Sequence, residues 1–230
     1  MHVEVAAILF DIDGTLVDST PAVERSWRSW AARRGLDAEV ILRVSHGRRS
    51  EDTIADLLPV HERAAAVAEL EALEHADLDD VLALPAASDL LPSIPSDRWA
   101  AVTSGSRALM RRRLAAAGLP VPSVLVGADD VAVGKPDPEG YLAAAAALGV
   151  EPAACLVVED APAGIAAGRA AGARVLAVAT SHPASMLGNA DVVIDDLTHL
   201  SISAAPQGLQ VSLTRHPAAR RSGAGRLTQA

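Results

Sequence analysis

Cysteine is nearly absent from this chain of 230 residues, and long apolar runs are missing altogether. The single cysteine, Cys155, cannot form an internal disulfide and lies in an apolar run, which is typical of a buried thiol in a reducing compartment. No apolar run reaches the roughly 18 residues that cross a bilayer, and no basic leader precedes an apolar stretch. We therefore expect a soluble cytoplasmic protein without a signal peptide or a membrane segment.

Aromatic residues and lysine are also scarce. One phenylalanine, one tyrosine and three tryptophans offer no evident platform for stacking a nucleobase. The formal net charge of −9 argues against a nucleic-acid partner, and an enzyme with this charge would need a metal ion and a few placed cations to attract phosphates. Lys135 is the single lysine of a chain biased towards Ala and Arg, which favours a functional role over that of a solvated turn residue.

The distribution of apolar residues divides the chain into two patterns. A short apolar run at residues 5–10 predicts a buried strand, and the block that follows, to about residue 80, has only helical periodicity. After Pro85, apolar runs of strand length alternate with helical stretches, most of them closed by a glycine. This alternation predicts an α/β fold with a parallel sheet covered by helices on both faces.

These patterns place individual elements and domain boundaries. Helices are predicted at 22–34, 50–58, 61–80, 107–117, 138–148 and 163–171, and strands at 5–10, 99–103, 123–126, 154–158, 174–179 and 192–194, with 208–213 as a candidate edge strand. Residues 1–15 and 83–214 should form the α/β core and residues 16–82 a helical insertion. The last stretch, 215–230, has no periodicity and is expected to be a disordered tail.

Two carboxylates follow the first predicted strand, at Asp11 and Asp13, and precede Gly14. At this spacing they point the same way if the strand direction persists, and a cation between them would relieve their repulsion. Mg²⁺ prefers oxygen ligands and is the predicted cation; one carboxylate could then attack phosphorus while the other acts as acid and base. For this segment alone, an Asp-rich turn that caps the next element is an equally good explanation.

Three further polar clusters follow predicted strands, so a parallel sheet would bring them to the same edge. Hydroxyl and N–H groups around Ser104 and Gly105 can hold an anion, although an ordinary serine N-cap is the commoner explanation of such a segment. Lys135, between a glycine and a proline, could neutralise phosphate. Glu159 and Asp160 suit a metal site, and helix capping by Asp160 is compatible with that role.

Taken in order, the four clusters resemble the motifs of the haloacid-dehalogenase-like hydrolase superfamily over roughly residues 5–200. The matching positions are Phe10-Asp11-Ile12-Asp13-Gly14-Thr15-Leu16-Val17-Asp18-Ser19, Ser104, Lys135 and Glu159-Asp160. The resemblance implies a Rossmann-like core, Mg²⁺ as cofactor and an all-helical cap formed by the insertion.

The resemblance also implies roles for single residues. An acid at position 13 favours a phosphatase over a dehalogenase, because an alkoxide leaving group needs a proton and a halide does not. The implied assignment is Asp11 as the nucleophile that forms an aspartyl-phosphate, Asp13 as acid and base, Ser104, Gly105 and Lys135 as phosphate-binding residues, and Asp160 with Asp11 and the Asp13 carbonyl as Mg²⁺ ligands, Glu159 being either beside them or a further ligand.

Segments such as His46-Gly47-Arg48-Arg49 resemble the glycerol-3-phosphate and 2-deoxyglucose-6-phosphate phosphatase group. We therefore predict hydrolysis of a small phosphorylated metabolite, a sugar or polyol phosphate, with Arg49 as a substrate contact. Ion pairs of Arg48 and Arg49 with Glu51 and Asp52 are an equal alternative. A phosphomutase of the β-phosphoglucomutase type shares the motifs, whereas a non-catalytic phospho-aspartate receiver needs neither the second carboxylate nor the insertion.

Other polar and aromatic features have simpler explanations. The run Arg111-Arg112-Arg113 predicts a solvated helix face, and Trp27 and Trp30 predict packing within the insertion. The seven histidines lack ligand spacing, so no zinc site is expected.

Overall fold

The computed structural model describes residues 2–45, 47–206 and 208–213. The strands are β1 (His2–Val5), β2 (Ala7–Phe10), β3 (Val17–Asp18), β4 (Leu82–Ala83), β5 (Trp99–Val102), β6 (Leu125–Val126), β7 (Cys155–Glu159), β8 (Arg174–Val178), β9 (Val192–Ile194), β10 (Leu200–Ala205) and β11 (Gly208–Leu213). The α-helices are α1 (Thr20–Arg34), α2 (Ala38–Ser45), α3 (Ser50–Leu57), α4 (Val60–Ala76), α5 (Ala87–Leu90), α6 (Arg107–Ala116), α7 (Glu139–Ala147) and α8 (Pro162–Ala170).

Six parallel strands form the central sheet, in the order β6-β5-β2-β7-β8-β9. The strands are apolar throughout because helices cover both faces. In β2, Ile8 and Phe10 belong to one core with α5 and α6, while Ala7 and Leu9 belong to a second core with α7 and α8. The predicted α/β fold is confirmed. The chain crosses to opposite sides of β2 when it enters β5 and β7, which opens a crevice at the carboxyl end of β2.

Helices α1 to α4 form the insertion and have a hydrophobic core of their own. Trp27 and Trp30 pack edge to face with ring centroids 5.4 Å apart, and the Trp30 indole N–H donates to the Ala66 carbonyl at 2.9 Å. The insertion is joined to the core by β3 and β4, an antiparallel pair in which Val17 faces Ala83. Within the described residues, no helix combines the length and apolarity that a membrane span requires; a cytoplasmic location stays a prediction.

Helix α2 is absent from the sequence-based prediction. Its sequence, AEVILRVS, contains three β-branched residues, which lowers its intrinsic helical propensity. The helix nevertheless buries Ile41 and Leu42 in the core of the insertion, so packing determines its conformation. Predicted helices ended within four residues of the observed ends; the largest error is α4, which stops at Ala76 rather than at residue 80.

A second, three-stranded antiparallel sheet corrects the prediction at both ends of the chain. Its order is β1-β11-β10, so residues 208–213 form its centre rather than an edge strand, and β10 was not predicted. The predicted strand at 5–10 is divided: Val5 pairs with Leu209 in this sheet, while Ala7 begins the central strand β2. The predicted tail at 215–230 lies outside the described residues.

Candidate active site

Asp11 and Asp13 lie in the turn directly after β2. The Asp11 amide donates to the Val158 carbonyl at 2.9 Å, so sheet pairing with β7 continues up to the first carboxylate. Gly14 then turns the chain with φ of +87°, and a Cβ at this position would lie 2.1 Å from Asp160 Oδ2. Only glycine tolerates both conditions, and its presence lets the turn approach Asp160 closely.

Lys135 bridges two buried carboxylates. Its ammonium donates to Asp11 Oδ1 at 2.5 Å and to Glu159 Oε1 at 2.6 Å. Burial lowers the pKa of Lys135, but Asp11 and Glu159 outweigh this effect and raise the pKa well above its ordinary value, so the lysine stays charged. The lysine lies in the loop between β6 and α7, nine residues beyond the end of β6, and not directly after a strand as the sequence pattern suggested.

Both carboxylate oxygens of Glu159 accept two hydrogen bonds each. Besides Lys135, its Oε1 accepts from the Tyr141 hydroxyl at 3.0 Å, and its Oε2 accepts from the amides of Asp160 and Ala161 at 2.9 and 3.0 Å. Four donors use the lone pairs that an ionised carboxylate offers. Glu159 therefore holds the lysine and the following loop in place.

A metal ion fits the carboxylates of this edge. Oxygens of Asp11, Glu159 and Asp160 lie within 4.8 Å of one another. Burial raises the pKa of Asp160 to about 8 and that of Asp11 well above its ordinary value, with the charge of Glu159 adding to both effects. A divalent cation would offset that destabilisation of the ionised forms, and hard oxygen donors suit Mg²⁺.

The hydroxyls of Thr15 and Ser181 fix the Asp160 carboxylate. Thr15 donates to Asp160 Oδ1 at 3.3 Å, and Ser181 donates to Asp160 Oδ2. Within the described residues, Asp11 Oδ2 accepts no hydrogen bond. This leaves an oxygen of Asp11 open to the cleft next to Asp160.

Ser104 and Gly105 follow β5 and lie across the cleft from Asp11. Helix α6 begins at Arg107 with Ser106 as its N-cap, so the serine-cap explanation of this segment is confirmed for Ser106, and Ser104 stands outside the cap. Its hydroxyl donates instead to the Gly47 carbonyl of the insertion at 2.9 Å. The loop after β5 thus contributes polar groups to the cleft at the point where core and insertion meet.

Asp13 is held by two donors. Ser19 donates to its Oδ1 at 2.6 Å, and the Arg113 guanidinium donates to its Oδ2 at 2.8 Å. Arg113 also donates to Glu74 Oε1 on α4 at 3.1 Å. The interpretation of the arginine run as a solvated face is wrong for Arg113, which is 2% exposed and reaches the centre of the site.

These groups line one cleft between the core and the insertion. The lining residues include, from the core, Asp11, Asp13, Ser104, Gly105, Arg113, Asp160 and Ser181, and from the insertion, Trp27, Ser45, Gly47, Arg48, Ser50 and Glu74.

Residues 5–172 match the family model of haloacid dehalogenase-like hydrolases. The chain belongs to this family. It is 42% identical over 205 residues to hexitol phosphatase A of Escherichia coli (strain K12), covering 87% of this chain and 95% of the relative. It is 37% identical over 195 residues to glycerol-1-phosphate phosphohydrolase 2 of Saccharomyces cerevisiae (strain ATCC 204508 / S288c), covering 79% and 77%. A crystal structure of a hydrolase from Pseudomonas syringae is similar with a TM-score of 0.76 and 26% identity, covering 83% and 94%.

Membership of the haloacid dehalogenase-like hydrolases confirms the resemblance seen in the sequence. It also identifies the chain as a hydrolase. Each core position picked out by the motifs lines this cleft or contacts a residue that does. Lys135 donates to Asp11, and Glu159 accepts from the Asp160 amide.

Arg48 lines this cleft, whereas Arg49 lines an adjoining pocket that shares Glu74 and Ser104 with it. The Arg49 guanidinium binds both oxygens of Asp52, at 2.9 and 3.0 Å, and packs over Gly134, where a Cβ would lie 2.5 Å from its Nε. The ion pair with Asp52 is thus formed, while Arg48 pairs with Asp56. His46 lies outside the described residues.

Several residues of the site were missed by sequence reasoning in this hydrolase. Ser181 lies three residues after the end of β8, so the rule that polar clusters collect at strand ends would have found it. Ser19 stands within the first motif but was given no role. Arg113, Glu74 and Tyr141 carry no local signal, because their positions depend on how helices pack against the core.

Proposed function

We propose that the chain is a Mg²⁺-dependent phosphatase that hydrolyses a small sugar or polyol phosphate through an aspartyl-phosphate on Asp11. The observation that carries this proposal is the position of Asp11: one oxygen is bound by Lys135 and the other is open to a cleft beside Asp160 and Asp13. A buried carboxylate with a fixed lysine and a candidate metal site suits nucleophilic attack on a dianionic phosphate.

In the first half of the reaction, the open oxygen of Asp11 attacks phosphorus and the bond from phosphorus to the substrate oxygen breaks. Asp13 donates a proton to that oxygen, and the alcohol leaves. In the second half, water attacks phosphorus, Asp13 takes the proton, and the Asp11 carboxylate is regenerated as inorganic phosphate leaves. Ser104 and the Gly105 amide, with Lys135, bind the phosphate oxygens.

Asp11, Asp160 and the Asp13 carbonyl would hold Mg²⁺, with Glu159 supporting them through Lys135 and the loop amides. The bound ion supplies charge shielding between phosphate and the carboxylates and polarises the phosphoryl oxygens. Residues 16–82 would act as the cap that closes over this chemistry and excludes bulk water.

The organic part of the substrate would be selected by the insertion. Its contribution to the cleft is mostly polar, with Ser45, Ser50, Arg48 and Glu74 as hydrogen-bonding groups and Trp27 as the aromatic member. Among the described residues, the Ser45 hydroxyl is buried without a hydrogen-bond partner, which suits a substrate hydroxyl. The named activities of the hexitol and glycerol phosphatase relatives support the same substrate class.

The test is the release of inorganic phosphate from hexitol, glycerol, hexose and nucleoside monophosphates by the wild type, Arg48→Ala and Arg49→Ala. We expect polyol or sugar phosphates to have the highest kcat/KM. Because Arg48 lines the cleft, its loss should change the order of substrates; a change with Arg49→Ala would support the sequence-based prediction for that residue. A preference for nucleotides would contradict the substrate class. Isomerised sugar phosphate without phosphate release would show a mutase.

A further inference from the structure

Arg113 joins the core to the insertion through a buried contact. It stands on α6 in the core, and its side chain is 3% exposed. One terminal nitrogen donates to Asp13 at 2.8 Å, and the other donates to Glu74 on α4 at 3.1 Å. A single guanidinium therefore connects the carboxylate beside the nucleophile with a carboxylate of the insertion.

The two carboxylates keep Arg113 charged although it is buried. Burial opposes the charge on Arg113, but Asp13 and Glu74 together outweigh it and raise the pKa of the guanidinium. Burial also raises the pKa of Glu74, and Arg113 offsets part of that rise. Both carboxylates pair with the shared cation, and the planar fork of arginine fixes the direction from which each is approached.

Both hydrogen-bond donors of Asp13 depend on the insertion. Ser19, which donates to Oδ1, immediately precedes α1, the first helix of the insertion. Arg113, which donates to Oδ2, is bound at its other end by Glu74. Both groups that hold the Asp13 carboxylate therefore either precede the helices of the insertion or are bound by them.

We propose that Arg113 is a positioning residue that couples closure of the insertion to the orientation of Asp13. In the closed arrangement, Glu74 holds the guanidinium where it directs the Asp13 carboxylate towards the leaving oxygen; when the insertion opens, that restraint is lost. The inference rests on the proposed function, in which Asp13 is the acid and base.

The experiment compares kcat/KM for two substrates whose leaving groups differ in their need for a proton. A glycerol phosphate releases an alkoxide that requires a proton, whereas p-nitrophenyl phosphate releases a stable phenolate. We expect Arg113→Met to lower kcat/KM for the glycerol phosphate by about 10²-fold and for p-nitrophenyl phosphate by less than about threefold, within the range of acid–base catalysis. Arg113→Lys should recover part of the loss, and Glu74→Gln should show a smaller split in the same direction.

Arg112→Met is the matched control. Arg112 is the exposed neighbour on α6, and it also bonds the insertion, donating to the His75 carbonyl at 2.7 Å, but it does not touch Asp13. We expect this variant to affect both substrates equally. Equal losses on both substrates with a folded Arg113→Met would overturn the inference; if that variant does not fold, Arg113→Lys and Glu74→Gln decide it by the same comparison. The variant Asp13→Asn distinguishes failure of the positioning role of Arg113 from failure of the proposed acid role of Asp13. A leaving-group split there, without one in the Arg113 and Glu74 variants, overturns the positioning role alone, and no split in Asp13→Asn overturns the acid assignment itself.

Discussion

The ammonium of Lys135 lies 2.6 Å from Glu159 Oε1, so the one lysine of the chain pairs with a second buried carboxylate besides Asp11. Tyr141 and two backbone amides complete the shell around Glu159. Asp160, by contrast, accepts its hydrogen bonds from the hydroxyls of Thr15 and Ser181. We therefore expect the two adjacent acids at the end of β7 to have different tasks.

The first prediction separates those tasks by Mg²⁺ titration calorimetry. Asp160→Asn should abolish measurable Mg²⁺ binding, because it removes a proposed ligand. Glu159→Gln should weaken binding by about 10- to 100-fold, the usual effect of changing a residue that supports a ligand. Equal and complete loss in both variants would make Glu159 a ligand, and unchanged binding in Asp160→Asn would contradict the proposed site.

Removal of the metal should abolish turnover. Excess EDTA is expected to stop phosphate release, and added Mg²⁺ to restore it, because the ion shields the carboxylates from the incoming phosphate. Circular dichroism before and after chelation controls for unfolding. Full activity in a metal-free buffer with chelator would contradict the mechanism.

Asp11→Asn should eliminate the phosphoenzyme and turnover while leaving the fold intact. An amide cannot attack phosphorus, and Lys135 keeps Glu159 as its partner. Since burial already disfavours the ionised form of Asp11, its replacement by a neutral amide should not lower the melting temperature of the metal-free protein. Mass spectrometry of the protein mixed with substrate measures the acyl phosphate; activity near that of the wild type would exclude Asp11 as the nucleophile.

Gly164→Ala should unfold at a lower urea concentration than the wild type. A Cβ at position 164 would lie 1.6 Å from Glu159 Oε1, so the carboxylate would have to leave its four donors. Overpacking of this kind costs about 1–3 kcal/mol, more than the gain in helical propensity from alanine. Gly188→Ala is the matched control, because a Cβ there meets no atom within 4 Å; the idea fails if both variants have the same midpoint.

Cys155 gives a prediction for alkaline pH. Burial raises the pKa of its thiol to about 11, so the folded chain keeps a proton that the unfolded chain loses near pH 8.5. Between these values the folded state binds more protons, and this thiol lowers the free energy of unfolding as pH rises. Cys155→Ala should therefore flatten the pH dependence of stability between about pH 8.5 and 11. A thiol reagent should modify native Cys155 at pH 9 only as fast as the protein opens; rapid modification would contradict its burial.

The carboxyl ends of the strands were predictable, and the residues that reach them from helices were not. Asp11, Ser104 and Asp160 follow apolar runs whose strand length is evident, so topology alone brings them together. Arg111, Arg112 and Arg113 give no such signal, because consecutive helical positions differ by about 100° and a run of like charges does not show which one points inward. The same ambiguity applies to Arg48 and Arg49, of which the first lines the cleft.

The second sheet was hidden for a related reason. β1 and β11 are separated by most of the chain, and antiparallel pairing between distant segments leaves no local pattern beyond alternation. Gly208 fits because a Cβ there would lie 2.1 Å from the Val5 carbonyl oxygen, a close approach of two backbones that a single sequence does not reveal.

The chain enters and leaves the insertion through one antiparallel pair of strands, β3 and β4. Val17 and Ala83 face each other, and the Leu84 amide donates to the Leu16 carbonyl at 2.9 Å, so the chain leaves and re-enters the core at neighbouring positions. An exchange of the segment between them would leave the strand order and the residues at the strand ends unchanged. A graft between these strands that keeps Ser19 and Glu74 would retain the groups that hold Asp13 and Arg113. The selectivity proposed for the insertion could then be inherited, or engineered, separately from the proposed phosphoryl chemistry.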